Sequence, residues 1–124
     1  MRKLIFFLLL LSIVGCGHQN VVDFDNHSTL TIEKRVEDTN VYEVINNIED
    51  EDAVQQIMDI FKGAKWETSL DITMATEPDY RLNKYHIWIT PNGDMLEIIN
   101  RNNSYYVRLS EEDSAVLLKI MTTN

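Results

Sequence analysis

The chain has 124 residues and carries 20 acidic against 11 basic side chains, a net charge of −9. Such a balance argues against nucleic acid as a partner, because phosphate contacts need a basic surface. The length allows one domain with a modest core, and the single cysteine excludes a disulfide within the chain.

Met1-Arg2-Lys3, the largely apolar run Leu4 to Val14 and the small Gly15 have the charge and length of a secretory signal peptide. Eleven residues fall short of the ~20 that a membrane span needs. Ile13-Val14-Gly15-Cys16 resembles the lipobox of bacterial lipoproteins, with an aliphatic residue three before the cysteine and a small one just before it. The resemblance implies a diacylglyceryl thioether on Cys16, cleavage after Gly15, and anchoring at the extracytoplasmic face of the cell membrane. An ordinary signal peptide would need small residues of A-x-A type at its cut, and the first alanine in the chain is Ala53. Each buried methylene of an acyl chain contributes ~0.8 kcal/mol, and two chains make a durable anchor. Loss of Arg2 and Lys3 leaves nine basic residues against 20 acidic, a net charge of −11. Anionic headgroups repel such a domain, so the lipid on Cys16 is its only expected membrane contact.

Residues 1–15 are thus read as a signal peptide, 16–28 as the lipidated cysteine and a flexible tether, and 29–124 as a single α+β domain. The stretch His18 to Ser28 is polar and acidic without a sustained period, and as a coil of eleven residues it spans roughly 18 Å. Asp23, Asp25, Asn26 and His27 within it lack the ligand spacing and central glycine of a calcium loop.

Thr29 to Val36 alternates as a half-buried strand, Asp38-Thr39-Asn40 is a turn, and Val41 to Ile48 is a second strand. Asp50 is placed to cap a helix that Gly63 ends, with Ala53, Val54, Ile57, Met58 and Phe61 on one face. Ala64 to Met74 is read as one or two short strands, and Glu77-Pro78-Asp79 as a turn.

Tyr80 to Thr90 is strand-like, Asn92-Gly93 predicts a type I′ hairpin, Met95 to Asn100 returns, and Asn102-Asn103 turns into Ser104 to Leu109. Those turns set Ile89 opposite Leu96, Ile87 opposite Ile98, and Ile98 opposite Val107, so both hairpins place aliphatics on one face. On the other face Trp88, Glu97 and Arg108 form one row, and His86, Ile99 and Tyr106 the next. Glu97 and Arg108 face each other as an ion pair, and Arg108 is within reach of Trp88 for a cation–π contact. Ser110 caps a last helix whose apolar face is Val116, Leu117, Ile120 and Met121. The fold class expected is an antiparallel sheet of four to six strands containing this C-terminal meander, with two helices packed on one face.

The lipobox at Cys16, Glu77-Pro78-Asp79-Tyr80 entering a strand, Tyr85-His86-Ile87-Trp88 before a glycine turn, and Tyr106 to Leu109 running into Ser110-Glu111-Glu112 are similar to the YhfM-like lipoproteins of Bacillus-type bacteria. The resemblance covers about residues 29–124. It implies an extracytoplasmic lipoprotein domain and carries over no functional residues.

Nothing in the sequence composes a catalytic site. The one thiol has a lipidation context, no Ser-His-Asp arrangement is suggested, and two of the three histidines, His18 and His27, fall in the tether. No enzyme activity, metal or cofactor is expected. The favoured function is a membrane-anchored interaction module for an envelope protein, binding through His86, Trp88, Tyr106 and Arg108, since aromatics and arginine are enriched in binding hot spots; against it stands the plainer reading that this face is covered by the N-terminal segment or is a mixed solvated sheet. Its alternative is a small-ligand or cation-binding lipoprotein accessory to a transporter.

Overall fold

The computed structural model describes residues 22–68, 74–101 and 104–123. Among them, seven strands form one antiparallel sheet: β1 (Leu30–Arg35), β2 (Tyr42–Ile48), β3 (Glu67–Thr68), β4 (Tyr80–Leu82), β5 (Tyr85–Ile89), β6 (Leu96–Asn100) and β7 (Tyr105–Arg108). Their order is β2-β1-β4-β5-β6-β7-β3, with helices α1 (Glu51–Gly63) and α2 (Glu111–Thr122).

The α+β class holds, and the strand number of four to six is corrected to seven. One additional strand comes from a hairpin inside the stretch read as continuous from Tyr80 to Thr90. Asn83 sits at φ 50°, a left-handed conformation asparagine tolerates, and Asn83-Lys84 turns β4 into β5. The Asn83 side chain holds that turn to the sheet, accepting from the Thr31 N–H at 2.9 Å. β3, whose two residues pair with Tyr105 and Tyr106 of β7, is a strand the sequence already led one to expect. It is part of the expected 64–74 stretch, of which residues 69–73 lie outside the described residues.

The meander has the predicted register: Ile89 pairs with Leu96, Ile87 with Ile98, and Ile98 with Val107. Its first turn is of another type. The Gly93 N–H donates to the Thr90 carbonyl at 2.8 Å, and of Asn92 and Gly93 only the glycine has a positive φ, +78°. A type I′ turn needs positive φ at both central residues. The turn expected at Asn102-Asn103 lies outside the described residues.

One face of the sheet is the core. Leu30, Ile32, Leu82, Tyr85, Ile87, Ile98 and Val107 pack there against Val54, Ile57, Met58 and Phe61 of α1 and Leu117 and Met121 of α2. Both helices begin on the predicted caps: the Asp50 carboxylate accepts from the Ala53 N–H and the Ser110 hydroxyl from the Asp113 N–H, each at 3.1 Å. The α2 stripe differs from its prediction. Ser114 is buried with Leu117 and Met121, while Val116 is 41% exposed. Ser114 is admitted because its hydroxyl accepts from the Leu96 N–H at 2.8 Å, fastening the helix to β6.

The described part of the expected tether is seated on this core. Val22 and Phe24 pack against it, and the Phe24 ring meets Phe61 and Tyr85 edge-on at centroid distances of 5.8 and 5.9 Å. Asp23 bonds the Tyr85 hydroxyl at 3.2 Å and pairs with Lys84 at 3.4 Å. Two apolar residues spaced by two suffice to lay an extended segment along an apolar surface.

Candidate functional site

The sequence nominates the sheet face opposite the helices. Register puts Trp88 beside Glu97 and Glu97 beside Arg108, with His86, Ile99 and Tyr106 in the adjacent row. The rows form as expected, and the four nominated side chains are nevertheless not equivalent.

Trp88 is buried, with 4% of its surface exposed. Residues 74–79, before β4, cross over it: the indole Nε1 donates to the Thr76 carbonyl at 2.9 Å, and the Tyr42 hydroxyl donates to the Pro78 carbonyl at 2.6 Å. Asp79 anchors the crossing, accepting from the Ile89 N–H at 2.8 Å and pairing with Arg35 at 3.5 Å. Met74, Thr76, Glu77, Pro78, Trp88, Ile99 and Arg101 enclose what space remains, about 330 Å³. A tryptophan in this position supports the loop and offers a partner almost no area.

His86 is half-buried, and its Nδ1 accepts from Arg101 Nε at 3.3 Å. Burial, then the nearby Arg101 and Arg81 guanidinium groups, lowers its pKa to about 4, so the ring is neutral at pH 7. The Tyr106 hydroxyl donates to Glu97, and burial followed by that bond raises its pKa. Arg108 reaches the same Glu97 oxygen at 3.6 Å and is the one nominated residue classed as exposed. The cation–π contact among the described residues is Arg81 over the Tyr42 ring at 3.7 Å, not Arg108 on Trp88. His86, Tyr106 and Arg108 therefore bond within the sheet, as a network that holds strands together. Cys16 lies outside the described residues. Among the described residues no three histidine, cysteine or acidic side chains gather as metal ligands, and no helix is long and apolar enough to cross a membrane.

A second surface was missed by the sequence reading. β2 is an edge strand, and along its outer edge no described strand pairs. The exposed large hydrophobic residues among those described are Val36, Val41, Val44 and Val116, at 37, 61, 55 and 41%. The first three belong to the β1–β2 hairpin and β2 itself. The fourth helps line a groove of about 680 Å³ between β2, the start of α1 and the end of α2, with Ile48, Ala53 and Ile120 as its other apolar walls. Asn46 fixes that end of α2, donating to the Met121 and Thr123 carbonyls at 3.2 and 2.8 Å. A bulge makes this edge illegible: Ile32 pairs with Asn46 and Glu33 with Val44, leaving Ile45 as an extra residue that reverses which side chains face out.

No family model, curated protein or solved structure matches this chain.

Proposed function

We propose that this protein is a lipid-anchored, extracytoplasmic interaction module without enzymatic activity, docking an envelope protein along the β2 edge rather than across the Trp88 face. The anchor rests on the lipobox resemblance at Cys16, in line with the YhfM-like pattern. The observation that carries the docking reading is the concentration of exposed valines, Val36, Val41 and Val44, on and beside a strand with an unpaired edge. Unpaired strand edges recruit further strands unless charge or proline blunts them, and Tyr42–Ile48 holds one charged residue, Glu43, and no proline. Packing from Val22 leaves six residues of chain from Cys16, at most about 20 Å, so the module works close to the bilayer. The groove's volume, about 680 Å³, favours the second reading, a small-ligand receptor, since ligand sites are commonly ~300–1,000 Å³.

In-cell photo-cross-linking from position 44, run beside position 108 on the opposite face, tests the docking reading. A discrete protein adduct from 44 that is lost on Val116→Lys supports it. Adducts from 108 alone return the site to the outer face, and none from either leaves the small-ligand reading. Fractionation of Cys16→Ser tests the anchor: the variant is expected to leave the membrane fraction while staying folded, and its continued retention rejects the lipid.

A further inference from the structure

We infer that the β2 edge and the adjoining groove form one site for an extended, basic and apolar peptide segment, added to the sheet as an eighth strand. The inference rests on the docking reading above and specifies the partner's chemistry.

Three features of the edge converge on this occupant. First, the open side of β2 presents main-chain groups that no described strand uses, and an incoming strand satisfies them in the way it would be satisfied itself. Second, the two faces of β2 meet different surroundings. Asn46 and Ile48 pair with the core-facing Ile32 and Leu30, so the groove lies on that side, whereas Val44 pairs with Glu33 and faces the other way. A strand laid beside β2 points alternate residues into the groove, against Ala53, Val116 and Ile120, and the intervening ones toward Val44 and solvent. A helix cannot use main-chain pairing and apolar side-chain seating on this edge together, so the occupant is extended.

Third, the charge around the site is mostly acidic. Glu49 and Asp50 line the groove, Glu43 lies on the strand and Glu51 opens α1, against Lys119 among the lining residues and Lys34 opposite Glu43. In a chain of net charge −9, that rim attracts lysine or arginine flanking the residues that a strand seats in the groove. It also tells against a second copy, whose pairing across a two-fold axis would set one acidic rim against the other.

Fluorescence anisotropy with the membrane-extracted full chain tests this chemistry, using labelled peptides of alternating lysine and valine, alternating glutamate and valine, and the lysine–valine peptide with a central proline. The expected result is saturable binding of the first, weakened about tenfold or more by the charge reversal and by the proline. Val44→Lys and Val116→Lys, both at exposed positions, should each weaken it similarly, with thermal melts reporting whether each variant is folded. Equal binding of the acidic peptide overturns the charge argument, equal binding of the proline peptide overturns strand addition, and no binding of any overturns the site's chemistry. A concentration-dependent dimer abolished by the same substitutions overturns it in favour of a second copy. A partner cross-linked from Val44 in cells beside inert peptides rejects this inference while leaving the docking reading in place.

Discussion

The Trp88 indole nitrogen and the Thr76 carbonyl are 2.9 Å apart, and that bond closes the loop before β4 over the face of the sheet. An aromatic ring on the sheet's solvent side, which the sequence offers as a binding surface, thereby becomes part of a small second core. The consequence is measurable. Trp88→Phe keeps most of the packing and leaves the Thr76 carbonyl without its donor, so it should cost about 1 kcal/mol. Trp88→Ala should cost about 3–5 kcal/mol, as large-to-small changes at buried aromatics do. Urea midpoints would separate the two, and a cost near zero for Trp88→Ala would return the residue to the surface.

Ser114 offers a sharper comparison with Ser110, the other serine associated with α2. Ser114→Ala strands the buried Leu96 N–H and should destabilise by about 1–3 kcal/mol. Ser110→Ala removes an exposed cap and should cost about 1 kcal/mol. Amide hydrogen exchange tells them apart more clearly than stability does: the Leu96 amide should lose protection in the first variant and keep it in the second.

These cases mark how far the sequence is legible. Alternation fixed the register from Ile87 to Val107 because both hairpins had to bury the same aliphatics, and a slip of one residue would have exposed them all. The same logic was available at Asn83-Lys84. Tyr80 and Leu82 share a phase that Tyr85 and Ile87 break by one residue, which is the mark of a two-residue turn. The Ile45 bulge left no such mark, because it scrambles alternation within one strand. The cover on Trp88 was illegible for another reason: it comes from main-chain carbonyls at Thr76 and Pro78, which no side-chain pattern reports.

His86 gives the fold a pH dependence whose sign follows from its surroundings. Its pKa is about 4 in the folded protein, lowered by burial and then by Arg101 and Arg81, against about 6.5 for an unperturbed histidine. The unfolded chain therefore binds a proton as pH falls through about 6.5, and the folded one resists until about 4. Stability is untouched above the first value and is lost progressively between the two. After allowance for solvent screening, the loss at pH 5 should be about 1–2 kcal/mol relative to pH 7. Carboxylates titrate in acid as well, so the measurement is a difference: urea midpoints at pH 7 and 5 for the parent and for His86→Gln. The variant should lose less on acidification, and parallel losses would show that His86 is not the group responsible.

Phe24 tests where the folded unit begins. Its ring lies against Phe61 and Tyr85, and the neighbouring Asp23 ties the Tyr85 hydroxyl to the Lys84 ammonium. Phe24→Ala should cost about 2 kcal/mol, at or below the low end for buried phenylalanines because the ring is only partly covered. The exposed Asp25→Ala, whose carboxylate accepts from the nearby His27 N–H, should lie within about 0.5 kcal/mol of the parent. Melting curves of the two variants decide the matter. If both behave alike, residues 22–28 lie outside the cooperative fold; if they differ as expected, the folded unit begins no later than Phe24.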